Sequence, residues 1–391
     1  MKPPPLLLAG IFASLAVLAP AADTPFYHVT VGPAATVMQG GVFPYLFRTR
    51  EGTMILEGSL MRPPGVKPRP GNDYGAIPQM VRSTDDGLTW KTWATPGDPL
   101  DGPISEGAWI QLRSGPILMF QWTSDLVREG LFVGQRWQSN DDWRTVLPPD
   151  KSHWVIPGGI GGGTGDDGSP FEAVQLHRTV LELPNGNLTT ALYGWTKGDR
   201  TPSEYLKTMY RFRCMYLRSR DQGQHWSLVS TIAYDPIIGQ EGFNESSLVR
   251  LAGGKHPGRL ICLMRVGRRT PIYQCISDDD GTTWSPPRAL NLVGVDPDLI
   301  ELSDGSLACS FGHKPECHDD GNFIAFSFDQ GENWSQIARI STGLTGAYTT
   351  VCELRPGLLY IVYDVREGVY HSLPRRIVGR RVSLSSASPV P

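Results

Sequence analysis

The sequence predicts an all-β fold, a six-bladed β-propeller whose blades are four-stranded antiparallel sheets. Three observations carry that reading. One octapeptide is spelled four times, a ten-residue segment recurs six times, and Gly 44 and Pro 33 punctuate a chain with 19% charged residues. That much Gly and Pro disfavours long helices and favours short strands joined by tight turns.

The octapeptide has the form Ser-x-Asp-x-Gly-x-x-Trp. It reads STDDGLTW at Ser83–Trp90, SRDQGQHW at Ser219–Trp226, SDDDGTTW at Ser277–Trp284 and SFDQGENW at Ser327–Trp334, with a fainter echo, SNDDW, at Ser139–Trp143. Its Asp can accept bonds from N–H groups of its own turn, its Gly supplies a positive φ, and its Trp buries a large ring between strands. The motif is therefore a turn staple with no catalytic or metal-binding role. Its last three copies are about 50–60 residues apart, a period that belongs to radially repeated β-architecture.

A second repeat precedes the staples. Aligned on the Gly that turns strand one into strand two, it reads FPYLFRTREG (43–52), EGAWIQLRSG (106–115), HRTVLELPNG (177–186), ESSLVRLAGG (245–254), DPDLIELSDG (296–305) and YTTVCELRPG (348–357). Six copies predict six blades, the last closed by an N-terminal strand around FYHVTV (26–31) beside IVGRRVSL (377–384). The segment ICLMRVGRRTPIYQCIS reads as a hairpin turning between Arg268 and Arg269. Cys262 and Cys275 then face each other as a disulfide or as two buried thiols.

The first column of the alignment holds Phe43, Glu106, His177, Glu245, Asp296 and Tyr348. In a propeller these residues ring one mouth of the central channel, and the ends of the second strands add Ser59, Trp122, Tyr193, Arg265 and Asp364. Five of the six in the first column are polar, and unpartnered carboxylates are costly to bury. Acids, a His, an Arg and aromatic faces collected at one mouth have the composition of a sugar site. The glycine-rich GGIGGGTGDDGS (158–169) lacks the Gly-Lys-Ser/Thr of a phosphate loop and reads as a flap beside that mouth. His313, His318, Asp319 and Asp320 have no recognised metal-ligand spacing, and no metal or cofactor is expected.

The chain opens MKPPPLLLAGIFASLAVLAPAA, a Lys, an apolar stretch and Ala-Pro-Ala. This is the plan of a cleavable secretory signal over residues 1–21, leaving 22–391 as one domain that is secreted or periplasmic, without a membrane span, and monomeric. A formal net charge of −3 gives no basic excess for nucleic acid.

At these residues the chain resembles the sialidase (neuraminidase) superfamily over essentially its whole mature length. The octapeptides match that family's Asp-boxes. FNESSLVRLAGGKHPGRLICLMR resembles the stretch in which Glu245 corresponds to the glutamate that activates the nucleophile and Arg265 to one member of a carboxylate-binding Arg triad. GAYTTVCELRPGLLYIVYD resembles the segment of the nucleophilic tyrosine, Tyr348. NDYGAIPQMVRSTDDGLTW resembles that of the acid/base aspartate, Asp73. The first triad position is Val42 in GVFPYL, and HKPECHDDGNF has no Arg where the third belongs; Arg48, Arg62 and Arg211 are the candidates to replace them.

The resemblance implies an exo-acting, retaining glycoside hydrolase that cleaves a terminal sugar, sialic acid or another glycosyl unit, from a glycan or glycoconjugate. Tyr348, Glu245 and Asp73 are then the catalytic set, and Arg265, Glu106, His177, Asp296, Trp122 and Tyr193 bind substrate. The alternative is a non-catalytic Asp-box propeller that binds glycans or protein partners.

Overall fold

The computed structural model describes residues 26–61, 76–93, 107–163, 172–313, 320–366 and 375–386. Asp73, Glu106, Arg62, the signal segment 1–21 and the second half of the glycine-rich segment (164–169) lie outside the described residues. Within them the chain forms 27 strands, and no helix is long and apolar enough to cross a membrane. The all-β reading holds.

Six separate blades do not. The strands assemble into five sheets: three of four strands, one of five and one of ten. Three of the predicted units stand alone as consecutive antiparallel sheets. They begin at Gly41–Arg48, Asn244–Arg250 and Val295–Glu301. The last unit, Thr349–Arg355, Leu358–Arg366 and Arg375–Ser386, is completed by Tyr27–Val31, with Val29 opposite Leu384, and also pairs Ala35–Gln39.

Units two and three merge. Asp150–Val155 pairs in parallel with His225–Ala233, placing Trp154 opposite Trp226, and Thr179 bridges in parallel to Trp109. These two seams close eight strands into a circuit inside the ten-stranded sheet. Side chains explain the first seam: the Trp154 and Trp226 rings stack at 4.7 Å, and those of His153 and His225 at 5.1 Å. Aromatic stacking and paired backbone groups reward this outer-edge contact.

The staples behave as read, and there are five. Ser277 Oγ donates to Asp279 Oδ1, which also accepts the Thr283 N–H at 2.9 Å, while Gly281 N–H donates to Ser277 Oγ at 2.9 Å. The same bonds recur around Asp85, Asp221 and Asp329. They also recur around Asp141 in the faint copy, where Trp143 stands at the glycine position with φ 60. The Cys262–Cys275 register is also as read, with Met264 opposite Tyr273, and both sulfurs are free, buried thiols.

Neighbouring units are clasped at the far end of the inner strands. Gln111 Oε1 accepts Arg50 N–H (2.8 Å), Glu182 Oε2 accepts Arg113 N–H (2.7 Å), Glu301 Oε2 accepts Ala252 N–H (2.7 Å) and Glu353 Oε2 accepts Ser303 N–H (2.8 Å). These four residues occupy one column of the ten-residue repeat, five places after its first residue. Each ties a turn of one unit to the strand of the next, fixing how the opposite ends of the inner strands meet.

Candidate active site

The inner strands converge through a repeated backbone irregularity. Phe43, Arg178, Glu245 and Asp296 all take a positive φ (54, 58, 36 and 55), and each sits where its strand slips register against its neighbour. A bulge of this kind inserts an unpaired residue and re-aims its side chain. A positive φ on a non-glycine residue is uncommon and costs on the order of 1 kcal/mol or more, so it persists only where surrounding contacts hold it. In the third unit the bulged residue is Arg178, one place beyond the aligned His177. In the sixth the positive φ falls on Ala347 (72), just ahead of the strand and one place before Tyr348.

Tyr348 and Glu245 meet. The half-buried phenol donates to Glu245 Oε1 at 3.0 Å, and the Phe43 ring packs edge-on against it at 4.7 Å. Arg265 Nη1 donates to that same Oε1, while the Asp296 backbone N–H donates to Glu245 Oε2 at 3.1 Å. Glu245 is thus buried with donors on both oxygens, as an anion at such a place requires.

Arg265 is held from two sides. Glu241 Oε1 lies 2.8 Å from Nη2, and Nε donates to the Gly267 carbonyl at 3.3 Å. Burial alone lowers the pKa of this guanidinium; Glu241 and Glu245 more than reverse that, so it stays charged. Glu241 lies in the loop before the strand, outside the repeat, and nothing in its spacing marks it.

Asp296 and His177 are brought together, but beneath the surface. Asp296 has no exposed area, and its Oδ1 lies 3.1 Å from His177 Nε2. Arg178 donates to both carboxylate oxygens, through Nε to Oδ1 at 3.2 Å and through Nη2 to Oδ2. His177 Nδ1 lies 3.3 Å from the Ser246 carbonyl. Tyr45 completes the floor, its ring under the Arg178 guanidinium at 4.7 Å and edge-on to His177 at 5.7 Å. Arg178, which the alignment passed over, is legible only as the neighbour of His177.

The other expected residues go elsewhere. Tyr193 is buried in an aromatic cluster with Trp195, Met209 and Phe212. Trp122 is half-buried, its carbonyl accepting the Leu176 N–H at 2.7 Å. Val42 is fully buried. Arg48 faces Asp86 at 3.9 Å, and Arg211 is occupied by the carbonyls of Ile238 and Gly239 and by Glu204 at 2.8 Å. Asp320 pairs with Arg269 at 2.8 Å.

A bulged ring of acids and arginines around a phenol, on an all-β scaffold stapled by five Asp turns, defines a sialidase-like class of repeat protein. The chain belongs to the sialidase-like BNR-repeat superfamily: the profile of the BNR repeat-like domain matches residues 166–361. No curated protein matches the sequence. Among solved structures it is similar to a protein of unknown function from Dyadobacter fermentans DSM 18053, at 18% identity and TM-score 0.67, over 91% of this chain and 99% of that one. It is similar to the Hadza microbial sialidase Hz136 at 16% identity and TM-score 0.61, covering 88% of this chain and 65% of the sialidase. It is also similar to an alpha-L-arabinanase from Penicillium chrysogenum complexed with arabinobiose, at 13% identity and TM-score 0.59, over 91% and 98% of the two chains. At these identities the likeness is one of fold.

Proposed function

We propose that the chain is an exported glycoside hydrolase that releases a terminal glycosyl unit with retention. The observation that supports this best is the Tyr348 hydroxyl on Glu245 Oε1, with Arg265 on the same oxygen. Glycosidase structures among the fold neighbours add to it.

In the first step Tyr348 Oη attacks the anomeric carbon and its proton passes to Glu245. The glycosidic C–O bond breaks, and Asp73 gives its proton to the leaving oxygen. In the second step Asp73 takes a proton from water, and the water oxygen attacks the anomeric carbon. The tyrosyl C–O bond breaks, and Glu245 returns the proton to the phenol. A neutral phenol suits a mouth already crowded with carboxylates, because a second anion beside Glu245 is disfavoured. Glu245, bonded by the Asp296 N–H and by Arg265, is poised to take that proton without moving.

The second reading is a propeller-like scaffold that binds glycans or proteins without turnover. It gives no reason for a phenol and a carboxylate from different sheets to share a hydrogen bond at one mouth. A panel of aryl glycosides that includes an aryl sialoside decides between them. Tyr348→Phe should lower kcat on the cleaved member by at least about a thousandfold with the fold intact, because no neighbour can form the covalent intermediate. Turnover within tenfold of wild type would rule out the tyrosine mechanism.

A further inference from the structure

Asp296 stands in the ring expected to meet substrate, yet the fold leaves it nothing to offer a sugar hydroxyl. Its Oδ1 accepts Arg178 Nε at 3.2 Å and faces His177 Nε2 at 3.1 Å. Its Oδ2 accepts Arg178 Nη2 and the Thr349 N–H, the latter at 2.7 Å. It has no exposed area. A carboxylate with both oxygens engaged inside the protein cannot also bind ligand without breaking a bond that is expensive to lose.

Its contacts instead reach both members of the proposed catalytic pair. The Asp296 N–H holds Glu245 Oε2, and the Thr349 N–H that it accepts belongs to the residue after Tyr348. Three sheets therefore meet on one side chain: Arg178 and His177 from the ten-stranded sheet, Asp296 from its own, and Thr349 from the five-stranded one. Asp298, two residues on, repeats the pattern, accepting the Val351 N–H at 2.9 Å and the Thr350 hydroxyl at 2.7 Å.

We propose that Asp296, clamped by Arg178, is a positioning residue that locks Tyr348 against Glu245 and, with Arg178, balances the charge the pair experiences. The proposal rests on the Tyr348–Glu245 reading of the site. Among the described residues, the charged and titratable groups around that pair include Arg265, Glu241 and, through Arg265, Tyr205 on one side, and Asp296, Arg178, His177 and Asp298 on the other. Removing either member of the Asp296–Arg178 couple strands the other, and the two removals act with opposite sign.

The test is a pair of pH titrations on the purified full chain. The first follows the Tyr348 phenol by ultraviolet difference, each protein minus its own Tyr348→Phe counterpart, and needs no substrate. The second follows the acid limb of kcat on the aryl glycoside that the panel selects. Asp296→Asn leaves Arg178 uncompensated and should move both titrations to lower pH. Arg178→Met leaves Asp296 uncompensated and should move both higher, each by roughly half a pH unit or more. Arg178→Lys and the double variant D296N/R178M, both charge-balanced, should titrate with wild type, and KM should change less than kcat.

Shifts of one sign, or no shift with only a loss of Tm, would overturn the proposal. If a single variant fails to fold, displaced titrations in Arg178→Lys or the double variant overturn it as well. Opposite phenol shifts without hydrolysis of any glycoside would leave Asp296's role standing and remove the hydrolase reading. Tyr348-dependent hydrolysis with unmoved titrations would do the reverse.

Discussion

Glu57 is a carboxyl placed where ionisation is unfavourable. Its side chain is 2% exposed, and Oε2 accepts the Trp109 indole N–H at 2.9 Å and the Gly107 N–H at 3.2 Å, binding the first sheet to the ten-stranded one. Burial pushes its pKa up to about 8, against a smaller downward pull from those two donors. A carboxyl raised in the folded state contributes stability that is fully present below its ordinary value near 4.5 and is lost as pH rises through about 8. The amount is on the order of a few kcal/mol. Glu57→Gln keeps an acceptor for both N–H groups and removes the charge. The variant's Tm should therefore hold between pH 5 and 9 while that of wild type falls, and parallel Tm–pH curves would show that Glu57 is not the group responsible.

At the scale of elements, each staple is a small self-contained cap. Asp329 gathers the Asn333 N–H at 2.8 Å, the Asn333 side-chain amide at 2.8 Å and the Ser327 hydroxyl at 2.9 Å. Asp329→Ala should cost about 1 kcal/mol, as helix caps of similar chemistry do, and leave turnover or glycan binding per folded molecule unchanged. Loss of function at unchanged Tm would mean that the turn is part of the site. The side-chain bond from Thr89 to Asp85 and the backbone bond from Thr283 to Asp279 hold these carboxyls at about 2. Their stabilisation is present above the ordinary value near 3.8 and is lost as pH falls through about 2. Acid unfolding should accordingly be retained in Thr89→Ser and shifted upward in pH in Thr89→Val, which removes the side-chain bond to Asp85.

These elements were also the most legible part of the sequence, because a Gly turn and a Ser-Asp pair act over a few residues. The same locality made the Arg268–Arg269 hairpin readable. The parallel seams were not, since a period-two pattern fixes which face a strand buries but not which edge it meets. Bulges hid the rest. A slip of one residue exchanged Arg178 for His177, and in the last unit the positive φ lies on Ala347, beside Tyr348 instead of on it. Glu241, outside any repeat, carried no signal at all.

For the whole molecule, the site exists only while the sheets stay in register around it, because Tyr348, Glu245, Asp296 and Arg178 come from four of them. Register is closed by joining the two chain ends. Tyr27–Val31 pairs with the far edge of Arg375–Ser386, and Tyr27 crosses to the neighbouring sheet. Its hydroxyl donates to Asp304 and lies 2.7 Å from Ser306, while its N–H and carbonyl are both bonded to the Gln336 side chain. Without this strand, Leu384 and Val382 lose their cover and Arg375–Ser386 becomes an open edge, which invites self-association. A chain beginning at residue 34 should therefore melt earlier and aggregate, and the ultraviolet signature of the Tyr348–Glu245 bond should disappear together with the near-UV dichroism. The peptide FYHVTV, added in trans, should restore both by re-forming the strand, as strand addition does elsewhere. A truncated chain that keeps its Tm, or that recovers stability without recovering the Tyr348 signature, would show that closure at the termini does not hold the site together.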